Sequence, residues 1–197
     1  MERYRYGTKE IIATVTGVAL IVCSRFLVNY LISVNAVPAQ FFEWIAPRIL
    51  ITAVAAVFFG PITGMLCGLA GDLLIYVIFG GYIGYPEMLV LGLYGFFLGL
   101  YFGKMHYEPA RYGARMFIDF NAIQIMCGII ASMLLLPLIK FLSQDTSLYD
   151  SIYEGFRSAV GNSLLVGIIC PILMFIVSII LKRKEQKAKD AAEMPFL

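Results

Sequence analysis

The sequence predicts an all-α polytopic membrane protein, a bundle of six transmembrane helices with both termini in the cytoplasm. Three observations carry that prediction. Of 197 residues, 60% are apolar and 14% are Asp, Glu, Lys or Arg, against about 45–50% apolar and roughly 25% charged in soluble domains. The apolar residues form runs long enough to cross a hydrocarbon core, which takes about 20 residues. Finally, 11 of the 15 basic residues fall in segments that an even number of spans places on one side. Such a composition excludes a soluble enzyme, a nucleic-acid binder and a disordered chain.

In chain order, helices are expected over Lys9–Ser33, Pro47–Phe59, Ile62–Phe79, Glu87–Phe102, Arg115–Lys140 and Ile152–Leu181. Pro38 and Pro47 bracket the first long loop. Gly60-Pro61 parts the second helix from the third, because Pro lacks a donor and disfavours a helical residue before it. Gly80-Gly81 and Tyr85-Pro86 make the next break. The second helix is short for a span, which implies a tilt or a top that belongs to the loop. One membrane domain covers 1–197, with a basic cytoplasmic tail at 182–197. The apolar run from Ala13 is too long for a signal peptide and no A-x-A site follows it, so it reads as the first span.

Orientation rests on the Lys and Arg count. Arg3, Arg5 and Lys9 precede the first helix; Lys104, Arg111 and Arg115 lie between the fourth and fifth; Lys182, Arg183, Lys184, Lys187 and Lys189 follow the sixth. The opposite loops carry Glu43, Glu87, Asp145, Asp150 and Glu154. The termini are therefore expected on the inner side of a bacterial cell membrane. Cys23, Cys67, Cys127 and Cys170 each sit in an apolar run without metal-ligand spacing, and His106 has no ligand neighbour. Packing thiols are expected, with no metal and no cofactor.

The chain has no G-x-x-x-x-G-K-[ST] loop, G-x-S-x-G or H-E-x-x-H. It therefore reads as a non-enzyme, with no ATPase motif of its own. Its chemistry lies in polar groups inside the spans, where charge is expensive and faces a cavity or a partner. Arg25, Arg48, Asp72 and Arg157 fall at similar depth toward the outer side, with Asn162 slightly deeper. They are placed to line one outward-facing pocket, or Arg25 or Arg48 forms a structural ion pair with Asp72. Trp44, Tyr76, Tyr82 and Tyr153 crowd the same side, as an interfacial belt or as rings that stack on a planar ligand. Asp119, Asn121 and Gln124 read as helix caps or helix contacts. Ala13 and Gly17 on the first helix, Gly64, Gly68 and Gly71 on the third, and Gly92, Gly95 and Gly99 on the fourth make small-residue faces for close helix approach.

Ser24-Arg25-Phe26 near the end of the first span, Phe59-Gly60-Pro61-Ile62-Thr63-Gly64, Gly71-Asp72, Phe120-Asn121-Ala122-Ile123-Gln124-Ile125 and the Asn162 to Ile169 stretch occur in that order. In this the chain resembles the substrate-binding S components of energy-coupling factor (ECF) vitamin transporters, closest to riboflavin-type and cobalamin-type members. The resemblance covers nearly the whole sequence. It implies capture of a water-soluble vitamin at the outer face, cobalamin favoured and riboflavin next, with folate or pantothenate as alternatives. Docking on a membrane coupling subunit with two ATPase subunits, in the lipid bilayer, would deliver the vitamin inward. The docking motif of the family maps onto Ala13 and Gly17, with Gly where Ala is usual. Arg25, Asn29, Trp44, Arg48, Asp72, Tyr76, Tyr82, Tyr153, Arg157 and Asn162 are the expected substrate-binding residues. An autonomous small permease and a membrane enzyme acting on a lipid or isoprenoid remain the other classes.

Overall fold

In the computed structural model, residues 7–80, 84–104, 114–144 and 147–193 are described. They form α1 (Thr8–Ser33), α2 (Ala39–Trp44), α3 (Pro47–Phe59), α4 (Pro61–Phe79), α5 (Tyr85–Lys104), α6 (Ala114–Ile129), a π-helical segment (Ile130–Leu135), α7 (Leu136–Gln144) and α8 (Leu148–Glu193). No strand occurs among the described residues. Six stretches are long and apolar enough to cross a membrane: Thr8–Ser33, Ala39–Phe59, Pro61–Phe79, Tyr85–Phe102, Arg115–Leu142 and Leu148–Lys184. The all-α, six-span architecture is the one the sequence predicts.

Several helix ends shift by up to four residues, and three features differ more than that from expectation. The loop after α1 contains its own helix, α2, so the short second span gains its missing length there. Pro137 interrupts the fifth span, and the chain relieves it with the π segment just before it. In that register the Leu136 N–H donates to the Ala131 carbonyl. Pro137 has no N–H to give Ser132 the next such bond. The sixth helix runs on past Leu181 to Glu193, because Lys, Glu, Gln and Ala keep helical backbone after hydrophobicity ends.

The bundle is drawn together by its small residues. A Cβ at Gly64 would stand 2.8 Å from the Gly95 carbonyl oxygen, and one at Gly68 would stand 2.9 Å from the Gly92 nitrogen. The glycine faces of α4 and α5 therefore meet backbone to backbone. α1 packs on the same helix, with Ile21 against Gly71 and Gly17 against Cys67. α3 turns into α4 at Gly60 alone, whose φ of 95° belongs to glycine. Behind these helices, Ala53, Leu98, Phe102, Phe120, Val166 and Met174 build the larger core. Large apolar side chains such as Val77, Ile118 and Leu164 are 61–65% exposed. Such surfaces suit contact with lipid rather than water.

Candidate functional site

The α4–α5 packing fixes where the charges go. Gly71 lets α1 approach at Ile21, and Arg25, one turn further along α1, reaches the same level as Asp72. Pro47 starts α3 with a pre-set φ, which places Arg48 in the first turn opposite Asp72. The Arg48 Nη1 donates to both carboxylate oxygens of Asp72, at 2.9 and 3.0 Å. Asp72 is nearly closed off, its side chain 7% exposed, whereas Arg48 is 37% exposed.

Beside this pair opens a cavity of about 390 Å³ between α1, the α2–α3 junction, α4, α5 and α8. Arg25, Arg48, Asp72, Glu87 and Glu154 supply its charges, and Phe42 and Tyr76 supply aromatic rings. A second, narrow cavity of about 50 Å³ continues past Arg48 and Glu87 toward α6, and Gln124, Ser132, Asn162 and Ser163 give it polar walls.

On the α5 and α8 side the carboxylates share one cation. Lys140, its side chain 10% exposed, lies 2.5 Å from Glu87 Oε1 and donates at 2.8 Å to Glu154 Oε2. The π segment sets the register of α7, and with it the side Lys140 presents. It also brings the Ser132 carbonyl against Gly155, where a Cβ would collide with that oxygen. Glu87 Oε2 is buried and has no hydrogen-bond partner among the described residues.

A third feature holds the segment after α1 over the site. The Asn162 Oδ1 accepts a 2.8 Å hydrogen bond from the Ala46 N–H, and its Nδ2 donates to Ser158 Oγ at 2.9 Å. Next to it, Gly161 admits the Trp44 carbonyl so closely that a Cβ would overlap it. Replacing Asn162 by Leu strands that N–H, at a cost of about 1–3 kcal/mol. Hydrogen exchange at Ala46 is then expected to speed about tenfold, since 1.4 kcal/mol is a factor of ten. Mass-spectrometric exchange on the 36–46 peptide reads this, with the 98–102 stretch of α5 as the unchanged reference.

Of the residues singled out in the sequence, Arg25, Arg48, Asp72 and Tyr76 come together in the larger cavity. Asn162 borders the smaller one, where it ties down Ala46. Asn29, Trp44, Tyr153 and Arg157 border neither cavity; Trp44 and Tyr153 are exposed. Tyr82 lies outside the described residues. Ala13 is half-buried, whereas Gly17 is buried against Cys67, inside the bundle rather than on a free face. The predicted helix contacts of Asn121 and Gln124 are present: Asn121 donates to the Phe117 carbonyl and Gln124 to that of Ser163. Sequence reasoning missed Lys140, Glu87 and Glu154 as site residues.

The comparisons with known proteins bear on this architecture. A family model described as ECF-type riboflavin transporter, S component, matches residues 6–182. A UPF0397 protein of Exiguobacterium sp. is 30% identical over 170 residues, 86% of this chain and 89% of the relative. One of Staphylococcus aureus is 26% identical over 176 residues, covering 88% and 91%. One of Lacticaseibacillus casei is 27% identical over 119 residues; there the match spans 60% of this chain and 64% of the relative. No solved structure gives a significant match. With six spans, a polar cavity among five of them, and the family match running from α1 into the last turns of the sixth span, the chain belongs to the ECF-type riboflavin transporter S component family.

Proposed function

We propose that this chain is the substrate-capture subunit of an ECF-type importer and takes a water-soluble vitamin into the cavity at Arg48 and Asp72. The observation that carries the reading is a polar, charged cavity of about 390 Å³ sunk into one end of an otherwise apolar six-span bundle. A membrane transport subunit is what family membership supplies; the roles of individual residues are our reading. Arg25 and Arg48 offer charge-assisted hydrogen bonds to ligand oxygens, and Phe42 and Tyr76 offer ring faces. Asn162 positions the α2 segment across the opening. Asn29, Trp44, Tyr153 and Arg157 belong to the surround of the site.

The cavity faces outward in this reading, and both termini, with the basic tail at 182–197, lie in the cytoplasm, as the Lys and Arg distribution argues. Small-molecule sites measure roughly 300–1,000 Å³, so about 390 Å³ favours a vitamin with one ring system, such as riboflavin. Cobalamin, the larger candidate, requires the 34–46 segment to swing away. Delivery needs a membrane coupling subunit and two ATPase subunits. Docking uses the α1 surface around Ala13, with Gly17 supporting it through α4.

The chain purified from cells grown in rich medium is expected to carry a vitamin, identified by absorption and by mass spectrometry of the released ligand. A flavin spectrum gives riboflavin, and a corrinoid spectrum gives cobalamin. Uptake in whole cells is expected to disappear when the coupling module is deleted. Uptake that survives the deletion would replace this reading by an autonomous permease, and turnover of a lipid substrate would replace it by an enzyme.

A further inference from the structure

We infer that Glu87 is a ligand-reading residue of the cavity, and that the ligand is uncharged overall and presents an N–H or O–H donor to it. The inference rests on the proposed vitamin-capture role and narrows it to a chemical class. Three cations, Arg25, Arg48 and Lys140, and three carboxylates, Asp72, Glu87 and Glu154, stand in or directly behind the walls. Their formal charges cancel, so an uncharged ligand leaves the site balanced, whereas an added carboxylate or phosphate gives it a net negative charge, which a low-dielectric site penalises.

The cancellation is uneven in space, and that unevenness selects a functional group. Arg48 has its charge paired with Asp72 through Nη1, which leaves its other N–H donors for uncharged ligand acceptors. Arg25 makes no ion pair among the described residues and stands exposed on the α1 side. Across from it, Glu87 and Glu154 share the single ammonium of Lys140. Glu87 Oε1 faces that ammonium, while Oε2 is buried with no hydrogen-bond partner among the described residues. A buried carboxylate oxygen without a donor is costly, and Glu87 borders both cavities, so a ligand there is positioned to supply the donor. A molecule that fits presents acceptors toward Arg25 and a donor toward α5. An anionic vitamin finds, among the described cavity cations, Arg25 alone unpaired, on the exposed side where solvent screens the gain.

The test titrates the purified full chain with riboflavin and cyanocobalamin, both uncharged overall, and with pantothenate and folate, both anionic. An uncharged vitamin is expected to bind at least tenfold more tightly than either anion. Glu87→Gln is expected to weaken that binding at least tenfold. Glu154→Gln, which changes another wall of the same cavity and also removes one carboxylate from Lys140, is expected to weaken binding by a clearly smaller factor than Glu87→Gln. Equal losses in the two variants would mean that Glu87 serves Lys140 alone and would overturn the inference, as would unchanged binding by Glu87→Gln. Tightest binding of an anion overturns it too, and this comparison decides the matter if Glu87→Gln does not fold. A wild-type chain that binds none of the four vitamins overturns the vitamin-capture role itself, an outcome distinct from binding that the variants retain.

Discussion

Arg48→Ala is expected to lose ligand binding and to melt earlier, and adding Asp72→Ala is expected to restore the melting temperature without restoring binding. Removing one partner of a buried ion pair strands the other charge, at a cost of about 3–5 kcal/mol when both are enclosed. Arg48 is 37% exposed, so solvent screens part of the interaction and about 2 kcal/mol is the expected loss. Asp72→Ala alone costs less, because the guanidinium left behind reaches the open cavity. In the double variant no charge is stranded, and most of the stability returns. Binding does not return, since a charge-assisted hydrogen bond from Arg48 to the ligand, worth about 1.5–3 kcal/mol, is lost in Arg48→Ala and in the double variant. Melting and titration of the four proteins in the cycle read both effects. Full recovery of binding in the double variant would make the pair purely structural.

A pair between Asp72 and either Arg25 or Arg48 was one of the two readings the sequence offered, because charge inside an apolar run has few places to go. Depth along the helices, counted at 1.5 Å per residue, put Arg48 and Asp72 at one level, and the structure joins them. The same Lys and Arg count that argued orientation leaves four basic residues, Arg25, Arg48, Lys140 and Arg157, all within spans. Lys140 was the signal passed over, because it stood at the predicted end of the fifth helix and read as a terminus. Glu87 and Glu154 were counted as loop charges for the same reason. Helix boundaries misplaced by two to four residues thus concealed half of the charge network. The π segment had no signature in a pattern with 3.6-residue period, although Pro137 inside an apolar run marked the place. α2 was missed because six residues between prolines carry too little periodicity to separate a helix from a loop.

Aromatic residues were less informative than charges, and the reason is physical. Rings at membrane interfaces gain from their position alone, so Trp44 and Tyr153 stand outside both cavities while Phe42, not among the expected substrate-binding residues, lines the larger one. A charge must be neutralised by something nearby, but an aromatic ring tolerates many neighbours. Intramembrane charge is accordingly the sharper guide to a site in a protein of this composition.

Gly95→Leu is expected to cost about 3 kcal/mol or more and to abolish binding together with folding. A Cβ at Gly95 would stand 2.6 Å from the Gly64 carbonyl oxygen. Backbone atoms on the facing helix cannot rotate aside as a side chain would, so the two helices must separate. Separation reaches the site because α4 and α5 run in opposite directions in fixed register. Gly64 faces Gly95, Gly68 faces Leu91 and Gly92, and one further turn in the same register sets Asp72 opposite Glu87. The glycines thus bring two carboxylates to the same level, and each carboxylate takes its own cation, Arg48 for Asp72 and Lys140 for Glu87. A leucine eight residues from Glu87 along α5, about 12 Å away, pries apart both pairs without touching either. Val77→Leu, on the exposed face of α4, is the control and is expected to change stability by less than about 0.5 kcal/mol. Thermal melting and ligand titration of both variants provide the check. A Gly95→Leu protein that melts and binds like wild type would mean that the α4–α5 crossing does not set the geometry of the charged cavity.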